Sequence, residues 1–228
     1  MQMIKKIHAI WLGKKMPPLA FVCIDDWHKQ GYDFKLWTDE DPLIQQWIAA
    51  CPFAKTCLDK GLFAFVTDYL RLKILQHEGG LYLDVDVTIQ QDPFPLFENC
   101  KFAVGYESET MLGTASIYAD PDSVILNRLV HFYEKDIYQS PLYMGPEIMT
   151  DFLIGQKLHQ SESCQLYPVE YFYNYQGEPM HFDKPDNAYL THWFQHSWKK
   201  SKGLVFLKSK HMGLLGKFYV WQKYCFKK

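Results

Sequence analysis

No uninterrupted apolar run approaches the roughly 20 residues needed to span a bilayer, which excludes a membrane-crossing helix. Close cysteine pairs are also missing. The six cysteines (Cys23, Cys51, Cys57, Cys100, Cys164, Cys225) are scattered, which argues against a zinc knuckle and reads as free thiols in a reducing compartment. Lys5 and Lys6 interrupt the apolar residues after Met1, so no secretory segment is expected and the location reads as cytoplasmic. The formal charge is only -2, with acidic and basic residues dispersed, so there is no footprint for a nucleic-acid duplex. A phosphate-bearing ligand would then need a metal or a local cluster. Arginine is scarce: Arg71 and Arg128 stand against 22 lysines. No repeat, linker or low-complexity tract is present.

What is present is enough apolar material for a core. With 228 residues, 48% apolar and 17% aromatic, the chain is expected to form one globular α/β domain over 1–228. "IKKIHAIWLG" reads as a strand, "LAFVCIDDWHKQ" as a helix, "YDFKLWT" as a strand and "DEDPLIQQWIAA" as a helix starting at Asp41. The long amphipathic "LFAFVTDYLRLKILQHE" follows, ended by Gly79-Gly80 and then the strand "LYLDVDV". This alternation predicts a sheet with parallel strands and helices on its faces. Further on, "KFAVGYE" and "TASIYA" read as strands, "DSVILNRLVHFYEKDI" and "PEIMTDFLIGQ" as helices, and "CQLYPVEYFYNY" as an aromatic strand or loop. The final "GKFYVWQKYCFKK" mixes aromatics with lysines, which fits either an ordinary packed end or a patch that touches lipid.

The stretch "GGLYLDVDVTI" sets two aspartates one residue apart in an apolar run. In a strand Tyr82, Asp84, Asp86 and Thr88 would share one face, near the carboxyl end where open α/β sheets bind ligands. Two ionised carboxylates in a poorly solvated place repel, and a divalent cation with hard oxygen ligands relieves that. The plainer reading ends the strand at Val85 and leaves both carboxylates solvated. On the preceding helix Asp68 and Arg71 lie three apart on one face. That helix is apolar over most of its circumference, so the pair is expected to be partly buried, and buried charges need a reason.

The string "TDYLRLKILQHEGGLYLDVDV" resembles the sugar-binding region with a D-x-D motif in family 32 of the glycosyltransferases. It is also similar to the corresponding segment of the large clostridial glucosylating toxins. The resemblance continues through "IKKIHAIWLGKKMPP", "YDFKLWTDED", "GPEIMT", "LYPVEYFYNY" and "YLTHWFQHSW". It implies a GT-A type fold, a Rossmann-like mixed sheet flanked by helices. Residues 1–100 would be the nucleotide-sugar-binding half, 101–205 the acceptor side with the closing His and Ser-Trp element, and 206–228 a basic aromatic tail.

The same resemblance implies a metal-dependent, retaining hexosyl transfer from a nucleotide-sugar, with UDP the expected nucleotide. Asp86 and Asp84 would hold Mn2+ or Mg2+ against the diphosphate. Asp68 and Arg71 would bind the sugar, Tyr82 would line the pocket, and Trp11 and Trp198 would stack near the nucleotide, with His8 a further candidate. Trp11 and Trp198 fit plain core positions equally well. His192, here followed by Trp193 where relatives carry a second histidine, and His196 compete for a third metal position. Gly145 and Pro146 would shape a loop near the acceptor. The acceptor would be a glycan or lipid-linked oligosaccharide in bacterial surface polysaccharide synthesis, with peripheral membrane contact through the tail. Two rivals remain: a haloacid-dehalogenase-type phosphohydrolase using Asp84 and Asp86, and a non-catalytic sugar-nucleotide-binding module. The phosphohydrolase reading expects its motif on the first strand and a downstream Gly-Asp element, which this sequence lacks.

Overall fold

The structure is a computed structural model that describes residues 3–13, 15–175, 187–194 and 201–225, with backbone alone at 201, 202, 224 and 225. β1 (Ile7–Trp11), α1 (Pro18–Lys29), β2 (Phe34–Thr38) and α2 (Pro42–Ala50) follow the expected alternation. Prolines open both helices, where the missing N–H costs nothing and the fixed φ suits the first turn. The same device opens α3 (Pro52–Asp59), a helix that the sequence reading left unassigned.

α4 (Phe63–Glu78) runs down the sheet and stops at Gly79, whose N–H bonds Leu75 O at 2.8 Å. Gly79 and Gly80 both have positive φ, 68° and 98°, and a Cβ on Gly80 would sit 2.5 Å from Lys6 O. Only glycine fits this reversal, which sends the chain straight back up as β3 (Gly80–Leu83). A turn follows, then β4 (Val87–Ile89), the 3-10 turn Phe94–Phe97, β5 (Phe102–Tyr106) and β6 (Leu112–Ala119).

α5 (Val124–His131) continues into a π-helical segment Phe132–Asp136, and α6 (Gly145–Thr150) into another at Asp151–Gly155. β7 (Cys164–Tyr167) and α7 (Val169–Phe172) come from the aromatic segment, followed by β8 (Leu190–His192), α8 (Ser201–Ser209) and α9 (Leu214–Cys225). The division drawn at 205/206 falls inside α8.

The main sheet has the order β2-β1-β3-β6-β5-β7. β1 is parallel to β2 and β3, β6 is antiparallel to β3 and β5, and β7 is parallel to β5, giving a mixed sheet. One apolar core lies between the sheet and α2 to α6, with Trp37, Phe53, Tyr69 and Leu70 fully enclosed. A second covers the other face around Trp27, Phe97 and Phe172. This is the mixed, helix-flanked α/β architecture of the GT-A type that the sequence leads one to expect. The parallel strands end together, so Trp11, Thr38 and Leu83 bring their loops to one edge. Phe63, at the start of α4, sits against Gly13 at that same edge.

Candidate active site

The strand predicted as "LYLDVDV" is not continuous. β3 ends at Leu83, residues 84–86 turn, and Val87 N bonds back to Asp84 O at 3.2 Å before β4 begins. The two carboxylates therefore converge through a turn and not through strand alternation. Neither is a solvated loop residue, since Asp86 is 7% exposed and Asp84 only partly open. Backbone bonds fix the turn on both sides: Asp84 N donates to Ala115 O at 2.8 Å, and Trp193 N donates to Asp86 O at 2.9 Å.

The short sheet β4-β8 brings in the third group. Val87 pairs with His192, which places His192 Nε2 3.4 Å from Asp86 Oδ1. Trp193 secures the pairing with its indole N–H on Thr88 Oγ1 at 3.0 Å. Ligand atoms of Asp84, Asp86 and His192 all lie within 4.8 Å of one another, the one such group found among the described residues. Burial lowers the His192 pKa, but Asp86 and then Asp84 and Glu107 more than offset it, leaving it raised. His192 Nδ1 is buried with no hydrogen-bond partner among the described residues. Two carboxylates and an imidazole whose Nε2 faces Asp86 form a donor set suited to magnesium or manganese, so these residues fit the expected cation.

Behind the turn lies the Asp68/Arg71 pair, buried as expected. Arg71 is 5% exposed, and its fork reaches in four directions. Nη2 contacts Asp68 Oδ1 at 3.0 Å, Nη1 contacts Asp84 Oδ1 at 3.5 Å and donates to Thr114 O, and Nε donates to Thr67 O at 3.2 Å. Burial works against its charge, and Asp84, Tyr82 and Asp68 more than compensate, so its pKa is raised. Asp68 shows the opposite balance: burial pushes its carboxyl up to about 6 even with Arg71 pulling it down. Gly145 N also donates to Asp68 Oδ2 at 3.2 Å, and a Cβ at Gly145 would lie 2.6 Å from Asp68 Oδ1. The Gly-Pro element thus closes on Asp68.

Tyr82 is buried, and its hydroxyl donates to Asp84 Oδ1 at 2.7 Å, with the Arg71 guanidinium 4.8 Å from its ring centroid. Burial lifts the phenol well above its usual range, so it stays a donor. Tyr82 orients Asp84 from beneath and presents no surface of its own to a pocket.

His8 is corrected outright. It is fully buried, accepts from Trp37 Nε1 at 3.1 Å on Nδ1, and so donates from Nε2 to Gly79 O at 3.0 Å. Burial lowers its pKa to about 4, and it serves as a neutral core residue that ties β1 to the Gly79 reversal. Trp11 stands at the carboxyl edge of β1, half-buried, its indole N–H enclosed with no partner among the described residues. His196 and Trp198 lie outside the described residues.

Sequence reading missed Glu107 and Tyr173. Glu107, at the end of β5, carries a carboxyl that burial pushes up to about 7, opposed by His192 and reinforced by Asp68 and Asp84. A lone acid closing the apolar strand "KFAVGYE" was the available signal. Tyr173, fully buried, accepts the Ala115 N–H on its hydroxyl at 3.1 Å and sets its ring edge-on to His192, with centroids 5.7 Å apart. Nothing in its aromatic segment singled it out.

Residues 8–103 match the family described as "Glycosyltransferase sugar-binding region containing DXD motif". The solved structure titled "PaToxG Glycosyltransferase" aligns with a TM-score of 0.50 at 20% identity, covering 70% of this chain and 72% of that one. A glycosyltransferase involved in glycosylating the major capsid of PBCV-1 aligns more loosely, with a TM-score of 0.46 and 11% identity over 82% of this chain and 92% of that one. The matched region is that of DXD-motif glycosyltransferases, and the first of these structures shares the fold. Among curated proteins, "Subversion of eukaryotic traffic protein A" of Legionella pneumophila subsp. pneumophila (strain Philadelphia 1 / ATCC 33152 / DSM 7513) is 30% identical over 119 residues, 41% of this chain. The chain spans 18% of that relative's length.

Proposed function

We propose that the protein is a working, metal-dependent glycosyltransferase that moves a hexosyl group from a nucleotide-sugar, expected to be a UDP-sugar, to a hydroxyl acceptor. The observation that carries this is the convergence of Asp84, Asp86 and His192, backed by the Asp68/Arg71 pair; the three aspartates and Arg71 lie inside the matched region, and β8 brings His192 to them from outside it. In this reading Asp86, Asp84 and His192 hold Mn2+ or Mg2+. The ion would supply positive charge to the departing diphosphate.

The protein's own residues do the rest. Arg71 braces Asp68 and Asp84 and prevents their mutual repulsion from opening the site. Asp68 accepts hydroxyls of the donor sugar, and Trp11 and Trp198 flank the nucleotide. Retention is assigned by resemblance to family 32, with same-face attack. The acceptor is a glycan or lipid-linked oligosaccharide of a bacterial surface polysaccharide, met on the cytoplasmic side of a membrane that residues 206–228 touch. The whole of residues 1–228 acts as one domain.

The test is calorimetric titration of nucleoside diphosphates and nucleotide-sugars with manganese and with chelator. One nucleotide-sugar should bind only with manganese and be lost in Asp86→Asn. Release of phosphate from simple phosphomonoesters without such binding would establish the phosphohydrolase instead, and binding without turnover on any acceptor would leave a binding module.

A further inference from the structure

The last helix, α9, has an unusual surface. Of the ten large hydrophobic side chains exposed among the described residues, five fall between 214 and 221. Leu214 and Leu215 are 87% and 88% exposed, Phe218 and Tyr219 more than half, and Trp221, stacked on Phe218, nearly half. At about 100° per residue these five occupy an arc of roughly 160°, with Gln222 the polar residue within it. Lys217 borders the arc on one side and Lys223 on the other, while Val220 faces inward and is buried. On this face the segment is not packed against the rest of the described residues.

Charge is also less dispersed than the overall balance suggests. Nine of the 22 lysines lie after Asp186, and no Asp or Glu does. Lys217 and Lys223, both exposed, border the arc with no acidic side chain in α9, so a second copy of this face would meet like charge, whereas an anionic surface would meet its complement. Aromatic and aliphatic side chains bordered by lysines, whose stems lie along apolar surface while their heads reach water, are suited to a lipid–water boundary. No described helix is long and apolar enough to cross a membrane, so α9 can only lie in the plane.

We infer that α9 binds an anionic lipid surface, its apolar arc in the acyl boundary and its lysines among the headgroups, and holds the Asp84/Asp86 edge of the sheet beside that surface. The attachment of α8, on which α9 packs, supports this placement. In α8, Leu207 is fully buried, Phe206 stacks on Phe53 with centroids 6.4 Å apart, and Gly203 lies so close to Leu62 that a Cβ would come within 2.3 Å. Leu62 immediately precedes α4 at the site edge. Lys210 Nζ donates to Ser140 O, in the loop that leads to Gly145 and Asp68. The orientation rests on the transferase reading, but the binding does not.

Vesicle flotation without donor or metal separates the two. The protein should float with phosphatidylcholine vesicles containing phosphatidylglycerol at least tenfold better than with phosphatidylcholine alone, and high salt should abolish the difference. Leu215→Asp/Phe218→Asp should remove binding to both. Lys217→Glu/Lys223→Glu should remove only the anionic preference. Both variants change exposed side chains and should keep the circular dichroism and nucleotide binding of the parent. Equal or absent flotation on the two vesicles would overturn the inference, as would a dimer in light scattering that Leu215→Asp/Phe218→Asp dissolves.

Discussion

Asp86 Oδ1 and His192 Nε2 lie 3.4 Å apart because Val87 and His192 are register partners across β4 and β8. If the site holds the proposed cation, this pairing should make its affinity sensitive to protons. The His192 pKa is raised above 6.5, since Asp86 and Asp84 outweigh its burial. Mn2+ affinity should therefore climb with pH through and beyond 6.5. Stability of the metal-free protein should move the other way: the contribution of the ion pair is full below the unfolded value and is lost as pH rises through the raised one. His192→Ala should weaken Mn2+ at least tenfold and flatten both trends, as read by spin-resonance titration of Mn2+ and by urea unfolding across pH. An affinity unchanged in His192→Ala would remove this histidine from the site.

Arg71→Lys keeps a positive charge but loses the planar fork that serves Asp68, Asp84, Thr67 O and Thr114 O together. Breaking a buried ion pair costs roughly 3–5 kcal/mol, and the retained charge should recover part of it. A lower melting temperature and at least a hundredfold loss of kcat/KM are expected. Arg128→Lys, on a surface groove of about 660 Å³ lined by α5 and the two π-helical segments, should change neither by comparison.

Much of the first half of this chain was legible because its signals are local. Proline openings, the Gly79-Gly80 reversal and apolar periodicity each act within a few residues, and they located β1 to α4 apart from α3. Asp68 and Arg71 could be judged buried from the helix alone. The D-x-D geometry was not legible, because the turn at 84–86 is imposed by Ala115 O and Trp193 N, which reach it from distant strands. His8 was misjudged for the same reason: its partners Trp37 and Gly79 come from other elements, and spacing cannot show that both ring nitrogens are satisfied. Glu107 emerges only when the fold brings it near His192, Asp68 and Asp84, which come from other elements.

Gly145 offers a test of packing against chemistry. A methyl group there would lie 2.6 Å from Asp68 Oδ1 and 2.8 Å from its carboxyl carbon, so Asp68 or α6 must shift. Overpacking of this kind costs about 1–3 kcal/mol. Gly145→Ala should stay folded, with a melting temperature a few degrees lower and donor KM raised at least tenfold, because the displaced carboxylate leaves Arg71 unbraced. A normal KM would mean that Asp68 does not touch the donor.

Asp68 should make donor binding and stability respond to pH in opposite directions. Its carboxyl is pushed from 3.8 up to about 6, mainly by burial, against the pull of Arg71. The folded state therefore holds the proton more tightly than the unfolded chain. Its stabilising contribution is full below about 3.8 and lost as pH rises through about 6, a difference of roughly 3 kcal/mol at most. The ionised form is the stronger acceptor for donor hydroxyls and the one that pairs with Arg71 as an ion, so nucleotide-sugar affinity should rise over the same interval. Asp68→Asn is neutral at every pH and nearly the same shape. It should show weak donor binding with no limb near pH 6, and urea midpoints that no longer fall between pH 4 and 6. If the parent and Asp68→Asn trace the same stability profile, this carboxyl ionises at its ordinary value and the limb belongs to another group, with Glu107 the nearest alternative.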